Sequence, residues 1–251
     1  MNRISYRFFA VVVIWISLSS LIVRHDIPDE KFIELAKDYP QICHFQMGEG
    51  TLIRSNWILT AAHVATALQE DREKGRTDKV ICGGKAYEVD QIFVHPDYEL
   101  LRSVISHDIS LVKIKQMVDD IEPAKLYNGE DEVGKLITLV GAGDWGNGET
   151  GTQGWDQVTR AATNRIDFGN DQWIFFSFDS PDSGKATEYE GVSGGGDSGG
   201  PAFVKIDGVN YLAGVSSHQK GHGQFRQGHY GVKEYYARVS SYLDWIEGIV
   251  D

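Results

Sequence analysis

The pattern that most limits the fold of this chain is a long series of short runs rich in β-branched and aromatic residues. Turn-forming residues separate the runs, and this alternation is typical of the strands of β-barrels and β-sandwiches. The runs are QICHFQ, GTLIRSNWILTAA, KVICGGKAYEVDQIFV, DISLVKIK, KLITLVGAG, QWIFFSF, GPAFVKIDG, VNYLAGVSS and EYYARV. The sequence therefore predicts an all-β protein.

Helical patterns are scarce. LQEDREK (68 to 74) is short, whereas SSYLDWIEGIV, from Ser240 onward, places its apolar residues near one face. We expect that C-terminal segment to be a docked amphipathic helix. Two stretches rich in glycine and polar residues, 141 to 156 and 217 to 231, lack periodicity and are predicted to be surface loops.

The first residues have the layout of a signal peptide. Arg3 and Arg7 precede an apolar run from Phe8 to Ile16, and small residues follow it. We predict a signal at residues 1–21 and a mature chain of 22–251, exported either to a periplasm or out of the cell. An uncleaved membrane anchor and an ordinary core helix are the alternatives.

Charge and cysteine content exclude some function classes. The formal net charge is −12, and a chain this acidic lacks the basic footprint that nucleic-acid binding needs. The two cysteines, Cys43 and Cys82, form no C-x-x-C pair, so neither a zinc site nor a redox motif is indicated. In an exported protein they predict one disulfide, with two unpaired buried thiols as the alternative.

Glycines concentrate around one serine in GVSGGGDSGGPAFV, residues 191 to 204. A serine hydroxyl such as that of Ser198 is a weak nucleophile until a neighbouring base takes its proton. LTAAHVA places His63 just after an apolar strand, and SHDISLVKI places Asp108 at the head of another. Each of the three is an ordinary residue alone, but together they are the components of a nucleophile, a base and an acid that orients the base.

The segments TAAH, HDISLVKI and GDSGGP, in that order, resemble the signature segments of the chymotrypsin/trypsin-like serine proteases. The resemblance covers nearly all of the mature chain. It implies two six-stranded antiparallel β-barrels with a C-terminal α-helix, and a serine endopeptidase that works through His63, Asp108 and Ser198. It also implies an oxyanion hole formed by the backbone N–H groups of Gly196 and Ser198.

Other expectations follow from the same resemblance. The substrates would be proteins or peptides, a protein inhibitor is a further partner that the family admits, and the chain would be monomeric. No cofactor and no metal would be needed, and the signal segment would provide the only membrane contact.

Activation in the family depends on a new amino terminus, whose ammonium pairs with the aspartate before the nucleophile. The equivalent residues here would be Ile22 and Asp197, although Arg24 and His25 follow where relatives usually have two glycines. Processing after Ser19 or Ser20, followed by trimming, is the alternative route to an Ile22 start.

The disulfides depart from the family pattern. Val64 follows His63 where a cysteine is expected, and Gly194 takes the place of a cysteine that flanks the nucleophile loop. Cys43 and Cys82 fall on what would be neighbouring strands of the first barrel, so a bridge between them is predicted.

The pocket for the side chain before the cut also departs from the pattern. Val192 would form its floor, where trypsin itself has an acid. The other predicted pocket residues are Ser193, Ser217, His218, Gln219 and Glu234.

Three interpretations of this pocket stay open. Glu234 could select a cationic guest, or it could instead face solvent or pair with Lys233 or Arg226. An acidic substrate residue could also be met by histidines, namely His218, His222 and His229. Those histidines have no carboxylates at ligand spacing, which argues against a metal cluster.

Two other functions compete with an endopeptidase. A noncatalytic relative could keep the same shell as a binding module, because a fold does not guarantee its chemistry. An esterase would use the same acyl chemistry, but the G-x-S-x-G elbow of the α/β-hydrolases is not matched around Ser198.

Overall fold

The structure is a computed structural model that describes residues 21–101, 104–221 and 227–250. The predicted signal peptide therefore lies outside the described residues, except for Leu21.

The elements alternate along the chain as follows. The strands are β1 Ile22–Val23, β2 Ile42–Phe45, β3 Gly48–Arg54, β4 Trp57–Thr60, β5 Lys79–Cys82, β6 Lys85–Val94, β7 Glu99–Leu101, β8 Val104–Ser106, β9 Ser110–Ile114, β10 Lys125–Leu126, β11 Leu136–Gly141, β12 Asp144–Asn147, β13 Gly151–Trp155, β14 Arg160–Arg165, β15 Phe168–Gly169, β16 Trp173–Ser177, β17 Gly191–Val192, β18 Pro201–Ile206, β19 Val209–Lys220 and β20 Lys233–Arg238. The helices are α1 Asp29–Ala36, α2 Ala62–Glu73 and α3 Leu243–Val250, with 3₁₀ turns at Pro181–Ser183 and Val239–Tyr242.

The N-terminal half forms a closed barrel of six strands in the order β2-β3-β4-β9-β6-β5. Cys43 in β2 lies directly opposite Cys82 in β5, and the two are joined by a disulfide with their Cα atoms 4.4 Å apart. The all-β class, the first barrel and the predicted bridge are thus confirmed.

The C-terminal half is a half-barrel rather than a second closed barrel of six strands. Its sheet has eight strands, seven of them in the order β14-β11-β18-β19-β20-β16-β15, and β10 pairs with β19. Where β14 and β16 are not paired by backbone hydrogen bonds, a side chain makes the connection. Asn164 in β14 donates its Nδ2 to the carbonyls of Ser177 and Gly191, at 3.0 Å each.

A smaller sheet, in the order β13-β12-β1-β17, lies beside the half-barrel. It contains the glycine-rich stretch 141 to 156, so the prediction of a surface loop there is wrong. β12 and β13 form a hairpin whose turn is closed by Asn147, since its Oδ1 accepts hydrogen bonds from the backbone N–H groups of Glu149 and Thr150. The turn ends at Gly151, whose φ of 69° favours glycine.

The predicted C-terminal helix is confirmed as α3, which a 3₁₀ turn precedes. α2 extends the helical signal at residues 68 to 74 back to Ala62.

α1 was not predicted from the sequence. It begins after Pro28 with two acids, Asp29 and Glu30, which interact favourably with the positive end of the helix dipole. Buried Arg160 in β14 holds Asp29 in a bidentate ion pair, with N···O distances of 2.6 and 2.7 Å.

We expect the disulfide to stabilise the first barrel strongly. The bridge joins residues 39 apart in sequence, and cross-linking a loop of that length lowers the entropy of the unfolded chain, which raises its free energy by about 3–4 kcal/mol at 25 °C. Replacing both cysteines by alanine should lower the free energy of unfolding by about that amount, measured by urea titration. A loss below about 1 kcal/mol would contradict this role.

Candidate active site

His63 and Asp108 are joined by two hydrogen bonds. His63 is the second residue of α2, and its backbone N–H donates to Asp108 Oδ1 at 2.9 Å. Its ring Nδ1 lies 2.8 Å from Asp108 Oδ2. The Asp108 carboxylate is fully buried, whereas 28% of the His63 side chain is exposed. The pair therefore has one buried anion and one solvent-facing ring.

Asp108 also receives a hydrogen bond from the second half of the chain, because Ser217 Oγ in β19 donates to Asp108 Oδ2 at 2.5 Å. Burial alone would raise the pKa of Asp108. The hydrogen bonds and charge of His63, together with the Ser217 hydroxyl, hold that pKa below its ordinary value. Asp108 is consequently ionised at neutral pH, and its hydrogen bond favours the imidazole tautomer with the proton on Nδ1.

The backbone turns sharply just before this acid. His107 has a φ of 49°, which is rare for a residue with a side chain, and the N–H of Ile109 donates to the His107 carbonyl at 2.8 Å. The three-residue turn 107 to 109 therefore brackets Asp108 at the start of β9. Backbone strain of this kind clusters at functional sites.

Ser198 lies on a tight loop between β17 and β18 that packs against the first barrel. The Glu49 N–H in β3 donates to the Ser198 carbonyl at 2.7 Å, and the Gly199 N–H donates to the Ser216 carbonyl at 2.8 Å. Gly199 has a φ of 83°, and an added Cβ would lie 2.2 Å from both the Glu49 carbonyl and Thr60 Oγ1. Only glycine fits there, which accounts for part of the glycine cluster.

Val64 packs where the resemblance led us to expect a cysteine. A Cβ added to Gly48 would lie 2.7 Å from a Val64 methyl group and 2.8 Å from the Ser198 carbonyl. Gly48 thus lies between the loop that carries Ser198 and the helix that carries His63. The described residues show no hydrogen bond between Ser198 Oγ and the His63 ring; such contacts are often long without substrate.

Asp197 is buried, and backbone N–H groups hold its carboxylate on both sides. Oδ1 accepts from Gly143 at 3.0 Å and Oδ2 accepts from Gly194 at 2.8 Å. Gly196 has a φ of 88°. Ile22, predicted to pair with Asp197 as an amino terminus, is here an internal strand residue opposite Gly146 and Val192.

The predicted pocket residues come together, but their side chains fill the space. Val192 is fully buried in β17, and the Ser193 hydroxyl lies 2.5 Å from the hydroxyl of buried Tyr236. Gln219 spans the group, since its Nε2 donates to the Ser193 carbonyl at 2.6 Å and its Oε1 accepts from the Gly228 N–H at 3.3 Å. Gln219 therefore closes this region in the structure.

Glu234 lies opposite Gln219 and is 1% exposed, so the interpretation in which it faces solvent is wrong. Its Oε2 has no hydrogen-bond partner among the described residues. Burial raises the pKa of Glu234 well above its ordinary value, although hydrogen bonds from Gln219, Ser193 and Ser216 oppose that shift. Burial therefore favours the neutral form of this carboxyl.

The loop histidines do not gather around a ligand. The ring of His218 stacks on Tyr235 with centroids 4.8 Å apart, and burial lowers the pKa of His218 to about 4. His229 packs against Gly151, and His222 lies outside the described residues. His218 is consequently neutral at physiological pH and is a poor partner for an acidic substrate residue.

A different set of residues has metal-ligand chemistry. In the described part of the chain, ligand atoms of His95, Asp97 and His107 lie within 4.8 Å of one another. The two rings are nearly parallel, 9° apart, so their nitrogen lone pairs do not point at a common centre. His95 Nδ1 also already accepts the Asp97 N–H at 3.2 Å. The arrangement does not fit a tetrahedral site.

The sequence analysis did not identify Glu49, the acid in GEGTLI, as a residue of the site. Glu49 is 2% exposed and lines a cleft of about 550 Å³. The cleft also contacts residues on both sides of the site, among them His44, Ile81, Ala142, Trp155 and Gly196. An acid inside an apolar strand was the available signal.

Comparisons with known proteins agree with this geometry. The model of the family named Trypsin matches residues 35–246, which is most of the chain. Among solved structures, the chain is similar to mouse neuropsin, described as a serine protease expressed in the limbic system of mouse brain. The two are 22% identical, the alignment covers 91% of this chain and 99% of neuropsin, and the TM-score is 0.62.

At that identity the likeness to neuropsin shows the fold alone, whereas the family match extends over both halves of the site. The chain therefore belongs to the trypsin family of serine proteases.

Proposed function

We propose that this protein is an exported serine endopeptidase that cleaves peptide bonds through His63, Asp108 and Ser198. One observation carries the proposal. The buried, ionised Asp108 carboxylate holds the His63 ring by Nδ1 at 2.8 Å, beside the glycine loop that presents Ser198. That arrangement leaves Nε2 of His63 as the free base.

The reaction would proceed in two halves. As Ser198 Oγ attacks the peptide carbonyl, its proton moves to His63 Nε2, and Asp108 stabilises the imidazolium that forms. The C–N bond then breaks, and His63 gives the proton to the leaving amine. Water, deprotonated by His63, hydrolyses the acyl-enzyme and regenerates Ser198.

The negative oxygen formed in each half would be held by the N–H groups of Gly196 and Ser198. The residue between them supports this role, because the Asp197 carboxylate is held by Gly143 and Gly194 and so braces the loop. Preorganised donors of this kind stabilise the transition state without having to move during the reaction.

Substrate choice would depend on Gln219 and Glu234. While Gln219 bridges Ser193 and Gly228, only a small side chain before the cut would fit above Val192. Behind it, Glu234 is a carboxyl with an unpartnered oxygen. We infer that the natural enzyme prefers small residues, and that Glu234 would favour Lys or Arg if Gln219 were removed.

The proposal that the protein is exported is based on the signal-like sequence of residues 1–21. The described residues contain no helix long and apolar enough to span a membrane. Processing before Ile22 would create the ammonium that pairs with Asp197. The strand register supports this, because β1 runs parallel to β12 and antiparallel to β17, so the amino-terminal end of β1 lies on the side of Gly143 and Gly194.

Replacing Ser198 tests the reaction. A fluorophosphonate probe should label the processed protein, and Ser198→Ala should abolish labelling and lower kcat on peptides by about 10⁴-fold to 10⁶-fold. Ser183 is exposed, so Ser183→Ala is the matched control and should keep both the labelling and the kcat of the natural enzyme. Absence of labelling in protein shown to begin at Ile22 would favour the noncatalytic binding module instead.

Removing the Gln219 side chain tests the pocket. Mass spectrometry of a digested peptide library should show cuts after small residues for the natural enzyme. Gln219→Gly should raise kcat/KM for Lys or Arg by about tenfold to a hundredfold, because the guest gains a charged hydrogen bond to Glu234.

The increase in kcat/KM for Lys or Arg in Gln219→Gly should become larger as pH rises. The raised pKa of Glu234 keeps the carboxyl neutral at low pH, and ionisation strengthens its attraction for a cation. The double variant Gln219→Gly/Glu234→Gln should lose the gain. Equal Lys and Arg cleavage with and without Glu234 would overturn the assignment.

A further inference from the structure

Glu49 is a buried acid that the proposed mechanism does not use. It lies in β3, where its backbone joins the two halves of the site. Its N–H donates to the Ser198 carbonyl at 2.7 Å and its carbonyl accepts Thr60 Oγ1 at 2.5 Å. Its side chain enters the second half, where Oε1 accepts the Ala142 N–H at 2.6 Å. The carboxyl is therefore oriented by the protein.

Glu49 and Asp197 hold adjacent backbone amides. Glu49 accepts from Ala142, and Asp197 accepts from the next residue, Gly143, at 3.0 Å. An added Cβ on Gly141, the residue before Ala142, would lie 2.1 Å from Asp197 Oδ1, and one on Gly200 would lie 2.9 Å from Glu49 Oε2. Two buried carboxyl groups thus converge beneath the loop that carries Ser198.

The surroundings of this pair are poor in positive charge. His44 faces Glu49 with Nδ1 at 3.3 Å, and the other ionisable group near Asp197 is the acid Glu234. Among the described residues no lysine or arginine contacts the pair, and Glu49 Oε2 has no hydrogen-bond partner. Two like charges in a buried site are costly, so the pair needs either a proton or a cation.

Burial acts on both acids, and the charge of Glu49 acts in addition on Asp197. Burial and the charge of Glu49 raise the pKa of Asp197 well above its ordinary value. Burial also raises the pKa of Glu49, against the opposing effect of His44. The pair thus retains a proton to higher pH than either acid would in water.

The amino-terminal strand leads toward this pair. Ile22 lies opposite Gly146 of β12 and Val192 of β17. Beyond the amino-terminal end of β1, the two neighbouring segments continue from Gly146 to Trp145 and Asp144, and from Val192 to Ser193 and Gly194. Those positions adjoin the amides that hold Asp197. An amino terminus formed at Ile22 would therefore lie at the end of β1 nearest the Asp197 carboxyl, beside which Glu49 holds Ala142.

We propose that Glu49 and Asp197 form one two-carboxyl site that holds a shared proton in the unprocessed chain and the Ile22 ammonium in the processed chain. Glu49 is then a positioning residue for the oxyanion loop. The inference rests on the proposed function. In the processing step, a peptidase and water cleave the bond before Ile22, the new ammonium enters the site, and the shared proton leaves to solvent.

The second carboxylate has a measurable consequence. Negative charge beside an ammonium favours its protonated form, so Glu49 raises the pH at which the ammonium loses its proton and the loop disassembles. Glu49→Gln keeps an oxygen for the Ala142 N–H but removes the charge. The variant should therefore fold, and it should lose activity at lower pH than the natural enzyme does.

The test compares kcat/KM against pH for enzymes that begin at Ile22. In Glu49→Gln the alkaline limb should move down by about one pH unit, while kcat/KM near pH 7 changes much less. Glu190→Gln is the matched control, because Glu190 is an equally buried carboxyl that accepts from Thr187 and Asp179 instead. Its alkaline limb should not move. Superimposable limbs for Glu49→Gln and the natural enzyme would overturn the proposal.

A second readout needs no activity. In the Ser198→Ala background, thermal unfolding is compared for a form that begins at Ile22 and a form that begins at Ser20. Raised carboxyl pKa values stabilise the longer form at low pH, and that stability is lost as pH rises above the ordinary carboxyl range. The ammonium protects the Ile22 form from that loss, so the difference in Tm should grow between pH 5 and 8.

Glu49→Gln should reduce the increase of this Tm difference between pH 5 and 8. An equal increase with and without Glu49 would overturn the proposal. The two kinds of failure are distinguishable. Absence of any peptide cleavage would contradict the proposed protease, whereas cleavage with unchanged pH and stability profiles would contradict only the role of Glu49.

Discussion

The buried carboxylate of Asp108 is the point on which both halves of the molecule converge. The first barrel supplies its two contacts with His63, and the half-barrel supplies Ser217. An ionised acid without these partners would be too costly to bury. The same contacts orient the imidazole, so the network that allows a charge in the interior also fixes the position of the His63 ring. Stability and site geometry therefore depend on the same hydrogen bonds.

A second connection between the halves lies below the serine loop. The N–H of Glu49 meets the Ser198 carbonyl, and its side chain reaches Ala142. Gly48 and Gly199 allow the close approach, because a Cβ at either position would collide with the neighbouring segment. Small residues and backbone hydrogen bonds hold this region together, whereas the disulfide lies elsewhere in the first barrel.

Much of this could be predicted from local sequence. Strand alternation predicts the all-β fold, whereas the Cys43–Cys82 bridge was expected from the family resemblance, which places both residues on neighbouring strands. Long-range contacts were beyond local pattern. In the segment 141 to 156, β12 pairs with β1, and in the half-barrel Asn164 bridges from β14 to Ser177 of β16. The burial of Glu49 and Glu234 is likewise fixed by distant segments, so neither acid could be placed from its neighbours in sequence.

The central claim is that Ser198 becomes covalently acylated while His63 and Asp108 serve it. Mass spectrometry of the Ile22 form, quenched in acid during turnover of an activated ester, measures this most directly. We predict an acyl adduct on the peptide that contains Ser198, at steady state and in stoichiometric amount. Ester hydrolysis with no adduct, or with the adduct on another residue, would contradict the account.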